Sequence, residues 1–276
     1  MSTPTAPRPA APRPAPGPAA SAAPALRPWV ALARLHTRYQ FVETVRVPIA
    51  VIGNLLFPGL ALLFFVVPQG TITSDPLAST AAIAQLGTFA VMSACLFTHG
   101  AGVAEDRAQP FDTFVRTLPA RPGPRLAGRV VNGLLWSYLA LVPLVVIGLV
   151  LTSATLTPAR ALGAVAMVAG VAVPFTLLGM AIGFAMSTKA ALAVVQCVLF
   201  PLAFAGGLFM PPEIFPGWLD AISQALPSRA ARDLVVQVTT GVEGSALALP
   251  VLLAWTAAFA ALAVVAVRRD EGRRFR

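Results

Sequence analysis

The chain has 276 residues, of which 57% are hydrophobic and only 11% are charged, and its mean hydropathy is +0.77. These values exclude an ordinary soluble globular domain. The formal net charge of +9 does not indicate nucleic acid as a partner, because membrane proteins place such basic residues in the segments that flank their apolar spans.

The N-terminal 47 residues divide into two predicted segments. Residues 1–28 are almost wholly Ala, Pro and Arg, a composition that predicts a disordered cytoplasmic tail. Residues 29–47 predict an amphipathic helix in the inner membrane interface, because Arg34 and Arg38 lie on a different face from the apolar positions. An alternative is a cytoplasmic extension of the first span. The apolar positions are Trp29, Leu32, Leu35, Tyr39 and Val42.

Residues 48–267 predict a transmembrane domain, followed by a basic cytoplasmic tail over 268–276. Crossing a bilayer takes about 20 helical residues, and six apolar runs have that length. The expected fold is therefore an all-α membrane protein with six transmembrane helices in the plasma membrane, with the lipid bilayer as its surroundings. The runs are Ile49–Val67, Ala78–His99, Val131–Leu151, Ala161–Met186, Ala190–Met210 and Ala246–Val267.

The distribution of basic residues predicts that both termini are cytoplasmic. The N-terminal segment, the loop over residues 100–130 and the C-terminal tail hold most of the arginines. Cytoplasmic segments carry the excess of Lys and Arg. We assign Arg160 to the same side, and Lys189, Arg229 and Arg232 to the opposite side.

The sequence shows no residues in the spans that could couple transport to an ion gradient, and no nucleotide-binding motif. No Asp, Glu, Lys or Arg lies deep in a predicted span, which disfavours an ion-coupled carrier, and His99 is most simply an interfacial residue. A nucleotide-binding P-loop needs a lysine after glycine, but the single lysine, Lys189, follows a threonine. We therefore expect no cofactor in this chain, with ATP bound by a partner subunit. No metal cluster or nucleophile–base pair predicts an enzyme.

Neutral polar residues and glycines within the spans predict helix packing. Gly179 and Gly183 form a G-x-x-x-G motif on the fourth span, which permits close approach of helices. Interhelical hydrogen bonds are the simplest role for the polar side chains, which are Asn54, Gln85, Ser93, Asn132, Ser137, Thr176 and Gln196.

The segment 206–240 predicts a re-entrant helical hairpin before the last span. Prolines divide it into two short helices, 213–226 and 230–240, joined at Pro227–Ser228. Broken backbone at membrane depth requires cover by protein or water. The alternative is an amphipathic surface loop. The residues that mark the segment are Pro211, Pro216, Trp218, Pro227, Arg229 and Arg232.

The loop over residues 100–130 predicts a surface for a partner. After the charged triplet Glu105, Asp106 and Arg107, an apolar face recurs at helical spacing and is rimmed by charge. Such a face suits a groove on another protein; the alternative is a helix packed on its own membrane domain. The apolar positions are Phe111, Phe114, Val115 and Leu118.

This layout resembles the permease subunit of ABC-2 type exporters, which include antibiotic, polysaccharide and lipid exporters. The closest correspondence is the glycine and proline pattern of the hairpin segment, from Gly206–Gly207 through Pro216–Gly217–Trp218 to Pro227 and Arg229–Arg232. The resemblance implies that the 100–130 loop couples to a separate ABC ATPase subunit and that the hairpin lines the outer end of the transport path.

The resemblance also implies a second permease copy, either identical or a paralogue, and an amphipathic or lipophilic substrate such as a drug, natural product or lipid-like molecule. We expect the cleft between copies to be apolar and without fixed charge. Two alternatives stay open from the residues alone: a membrane scaffold or assembly protein that transports nothing, and an ion-coupled secondary transporter.

Overall fold

The structure, a computed structural model, describes residues 26–46, 48–110 and 122–272. Over those ranges the chain is helical, with no β-strand. The helices are α1 (Leu26–Val45), α2 (Pro48–Ala61), α3 (Gly70–Thr73), α4 (Pro76–Leu96), α5 (Gly102–Ala108), α6 (Pro122–Leu151), α7 (Pro158–Ala185), α8 (Thr188–Ala205), α9 (Gly217–Gln224), α10 (Pro227–Thr240) and α11 (Ala248–Gly272). Two π-helical turns, Leu62–Val66 and Phe97–Ala101, continue α2 and join α4 to α5.

Five of the described helical stretches are long and apolar enough to cross a membrane: Pro76–Ala108, Gly123–Leu151, Pro158–Ala185, Thr188–Ala205 and Ala248–Asp270. They correspond to the second through sixth predicted spans. The stretch Leu55–Val66 in the first predicted span is apolar but shorter. The multi-pass helical architecture is thus confirmed, whereas a membrane crossing by the first predicted span stays a prediction.

Helix α4 lies at the centre of the bundle. In its most apolar stretch, 78% of the residues are buried, against 22% for both α8 and α11. Its many Ala, Ser, Thr and Gly residues let neighbouring helices approach from all sides. The outer helices instead expose large apolar side chains, such as Val146 and Val150 of α6 and Leu253 of α11, which suits contact with lipid.

Helix α1 packs along the first half of α6. The Thr37 hydroxyl donates to the Gly128 carbonyl at 3.2 Å, and the Phe41 ring stacks on Trp136 with centroids 5.3 Å apart. Leu35 and Tyr39 are exposed, away from this contact. On the packed face, burial, followed by the charges of nearby arginines, lowers the pKa of His36, so this side chain is neutral at pH 7.

Contacts between helices show at which end of the bundle Arg160 and Lys189 lie. We call the end that holds Asp270 the tail end, and the end that holds α9 and α10 the hairpin end. The Thr188 hydroxyl donates to the Ala104 carbonyl at 3.2 Å, which places Lys189 near the tail end. The Arg160 guanidinium lies beside Gly241 at the hairpin end. Our assignments of Arg160 and Lys189 were therefore wrong, because α7 begins at the hairpin end; the exchange leaves the excess of basic residues unchanged.

Candidate functional site

Glycines and prolines shape the segment between α8 and α11. Gly207 has φ +75°, a left-handed conformation that favours glycine. A Cβ atom at Gly206 would lie 2.6 Å from the Cβ of Ser228, so only glycine permits this approach. Pro211 precedes a 3₁₀ turn, Pro212–Ile214, and Pro216 precedes α9.

The two short helices of this segment differ in their bounds from the predicted 213–226 and 230–240, and their re-entrant placement stays a prediction. They are α9 and α10, and the bend lies at Ala225–Leu226, before the predicted Pro227–Ser228. Pro227 starts α10 because a proline at the first helical position loses no hydrogen bond. Trp255 of α11 holds the bend by donating its indole N–H to the Ala225 carbonyl at 2.8 Å. Trp218 is 67% exposed.

A buried group of charges joins α10 to α4. Asp233 accepts hydrogen bonds from Arg229 Nε and from Arg232 Nη1, both at 2.9 Å. The Nη2 of Arg232 donates to Gln85 Oε1 of α4 at 2.7 Å. Gln85, Arg232 and Asp233 are all buried. We call these four residues the hairpin charge cluster. Sequence reasoning named both arginines and Gln85 but missed that α10 brings them together beside the central helix.

At the tail end, Arg107 joins three helices. Its guanidinium donates to the Gly183 carbonyl at 2.7 Å and to the Met186 carbonyl at 3.2 Å, and it pairs with Asp270 of α11. The carbonyls at the C-terminal end of α7 attract a cation because they lack helical partners. Arg107 therefore links the end of α5 to α7 and α11.

The neighbouring Asp106 makes a second connection at the tail end. Its carboxylate pairs with Arg129 of α6 at 2.6 Å. Glu105 is exposed and joins neither contact. Consecutive residues of α5 thus connect this short helix to three other long helices, α6, α7 and α11.

The glycines of α7 lie against the π turn Phe97–Ala101. A Cβ at Gly183 would come within 2.8 Å of the Gly100 carbonyl oxygen, and one at Gly179 within 3.0 Å of the Cys95 carbonyl oxygen. His99 is fully buried in this contact, with its ring nitrogens 3.0 Å from the Cys95 carbonyl and 3.3 Å from the Arg129 carbonyl. A π turn often marks a functional site, and here it fixes the wall of a cavity.

That cavity has a volume of about 700 Å³ and lies among α1, α2, α4, α5, α6 and α8. Three carboxylates line it, Glu43 of α1 and Glu105 and Asp106 of α5, and we call this part of the cavity its mouth; aromatic rings, among them Phe89 about halfway along α4, form the rest of its walls. Cavities of 300–1,000 Å³ that combine apolar walls with a few polar groups commonly bind ligands. The aromatic residues in its walls are Phe57, Phe89, Phe97, Trp136 and Phe200.

Comparison with known proteins identifies the protein family of this chain. Residues 32–239 match the family described as ABC-2 type transporter, which covers α1 through α10 except at their outermost residues. The chain belongs to the ABC-2 type transporter family. It is also 25% identical over 179 residues to a Bacillus subtilis (strain 168) protein described as "Putative transport permease YvfS", a match that covers 64% of this chain and 73% of that protein.

The ABC-2 family match includes the loop between α5 and α6, where part of the predicted coupling surface lies. Glu105, Asp106 and Arg107 are placed as described above, whereas Phe111, Phe114 and Leu118 lie outside the described residues. Their role in coupling remains a prediction. Over the described residues, no group of His, Cys, Asp or Glu side chains could hold a metal ion.

Sequence reasoning about this ABC-2 chain missed the cavity. Glu43, Trp136 and Phe57 belong to three different helices, and no local pattern brings them together. Asn132 and Gln196 gave the best available signal, because polar side chains within apolar spans often face a cavity or a partner. The carboxylates at its mouth also differ from the apolar cleft expected between two copies, since this cavity lies within one chain.

Proposed function

We propose that the chain is the permease subunit of an ATP-driven ABC-2 type exporter and that a separate ABC ATPase subunit binds and hydrolyses the ATP. The observation that carries this proposal is the cavity, which lies within the family-matching helices and whose mouth includes the α5 carboxylates at the tail end. A substrate entering there would come from the same side as the ATPase. Its aromatic interior suits an amphipathic or lipophilic molecule such as a drug, natural product or lipid-like compound.

The proposed exporter lies in the plasma membrane and crosses it six times. Both of its termini are in the cytoplasm. Basic residues at the tail end support this orientation. The first of these crossings would be formed by α2 together with its π-helical continuation to Val66. We place α9 and α10 in the outer leaflet as a re-entrant hairpin. The extensive burial of α10 against the bundle supports that placement.

In the proposed cycle, the ATPase moves the loop between α5 and α6. Arg107 and Asp106 would transmit this motion, because they connect α5 to α7, α11 and α6. The cavity walls would shift as a consequence, since α5 and α6 both contribute to them. A second permease copy, identical or paralogous, would complete the transport path, with the hairpin at its outer end.

Replacement of Phe114 by Asp is expected to reduce the amount of ABC ATPase that co-purifies with the tagged permease by at least tenfold. Truncating a buried interface anchor costs about 2 kcal/mol or more, and a carboxylate on an apolar docking face adds a desolvation cost. Co-purification from native membranes in mild detergent, quantified against the permease band, measures the change.

Ile214→Asp is the matched control, because Ile214 is an exposed apolar residue at the hairpin end, 59% accessible. It should retain the ATPase at the wild-type level. Equal retention by Phe114→Asp and wild type would show that the docking surface lies elsewhere.

A further inference from the structure

We propose that the cavity binds the cationic group of its substrate, so that lipophilic amines and other lipophilic cations are the class of molecule exported. The proposal rests on the proposed function, and it names the substrate class of the same site. Three features of the cavity carry it: the charge of its mouth, the unpaired polar atoms of its walls and its aromatic surface.

The mouth of the cavity carries an excess of negative charge. Glu43 of α1 and Glu105 of α5 are exposed, and within the described residues neither forms an ion pair. Asp106 is paired with Arg129, the one cationic side chain among the described lining residues. The described lining of the cavity therefore holds three carboxylates and one guanidinium group.

This excess contrasts with the rest of the chain. The sequence has 20 basic and 11 acidic residues, and the tail end is rich in arginine. A local reversal of sign within such a basic surface concentrates cations at the opening and repels anions. Charge complementarity of this kind selects a ligand by its sign before any close contact forms.

The walls contain polar atoms whose hydrogen bonds are not made within the described structure. Asn132 and Trp136, each 3% exposed, line the cavity, and the Asn132 Oδ1 and Trp136 Nε1 atoms have no partner. The Oε1 of Gln40, another lining residue, also has none. Buried polar groups are normally paired. Two of these three atoms are acceptors, and because all three are buried, an ammonium group would reach them only after neighbouring side chains shift.

Aromatic rings supply the remaining recognition. Phe57, Phe89 and Phe209 form a continuous row, with centroids 5.7 Å and then 4.7 Å apart, and the first two line the cavity. Ring faces attract cations through their quadrupole, most strongly where water is excluded. An amphipathic cation would therefore place its apolar part against these rings and its charged group between the rings and the carboxylates of Glu43 and Glu105.

A pair of ions with the same shape and opposite charge tests the proposal. The permease, with its ATPase, is reconstituted in lipid nanodiscs, and equilibrium dialysis measures binding of tetraphenylphosphonium and of tetraphenylborate. Empty nanodiscs correct for partition into lipid. We expect the cation to bind at least tenfold more tightly than the anion, with a difference that shrinks as salt rises, because exposed carboxylates are screened.

The double variant Glu43→Gln, Glu105→Gln should weaken cation binding by about tenfold, since it removes two negative charges from the mouth. Both side chains are exposed, so the fold should persist. Glu243→Gln is the matched control: it removes an exposed carboxylate at the hairpin end and should leave both affinities unchanged.

Equal affinity for the two ions, or unchanged cation binding in the double variant, would overturn the proposal. These outcomes are separable from failure of the proposed function. If the ATPase co-purifies and the cation does not bind, only the substrate class is wrong; if no ATPase associates, the exporter assignment itself fails.

Discussion

Asp233→Ala is expected to lower the free energy of unfolding by about 3 kcal/mol, because it leaves the buried guanidinium of Arg232 and the half-buried one of Arg229 without their shared carboxylate. Asp233 accepts from both Arg229 and Arg232, and its side chain is only 8% exposed. Loss of this acceptor should also loosen α10 from α4, since Arg232 alone would then maintain the contact with Gln85. Thermal or denaturant unfolding in detergent micelles, followed by tryptophan fluorescence, measures the effect.

Asp220→Ala is the matched control for this change. Asp220 contacts the same Arg229 at 3.2 Å, but its side chain is 36% exposed. A surface pair of this kind contributes about 0–1 kcal/mol. Similar losses for the two variants would mean that burial of the hairpin charge cluster does not stabilise the hairpin.

Gly183→Ala is expected to destabilise the bundle by about 2 kcal/mol, within the range for overpacking of a well-packed interior. The new methyl group would collide with the Gly100 carbonyl oxygen and the Val103 side chain, each within 2.8 Å. It would also displace the carbonyl that accepts from Arg107. Both unfolding and ATP-dependent transport should therefore suffer.

Gly170→Ala makes the same substitution on the same helix where a Cβ atom meets nothing within 4 Å. It should be neutral or slightly stabilising, because alanine favours helix more than glycine does by about 1 kcal/mol. If Gly183→Ala is tolerated as well as Gly170→Ala, α7 does not approach the π turn as closely as the structure shows.

The membrane spans could be predicted from sequence because each apolar run is long enough to be recognised without its neighbours. Predicted and observed limits agree at Leu151, where the apolar run ends with α6. They differ at the start of that helix, which begins at Pro122 instead of Val131. The additional turns hold Arg125 and Arg129. Because these charged residues lower the local hydropathy, the hydrophobic pattern does not reveal this part of the helix.

The candidate site was largely beyond sequence reasoning, because its parts meet only in the folded chain. Hydropathy identified Gln85 as a polar residue within a span, but nothing local connects it with Arg232. The π turn that buries His99 also has no distinctive composition. Glu43 was not identified at all, since a single carboxylate near the end of an amphipathic helix resembles ordinary surface.

The central claim is that ATP hydrolysis by a partner subunit drives export through this chain. Its most direct test uses inside-out membrane vesicles that contain the permease and its ATPase, with uptake of charged and neutral fluorescent lipophilic dyes as the signal. The claim predicts that at least one dye accumulates only when ATP is hydrolysed, that ionophores which collapse proton and sodium gradients leave this uptake intact, and that Phe114→Asp abolishes it. Uptake that continues without ATP, or that ionophores eliminate, would contradict the claim and identify an ion-coupled carrier.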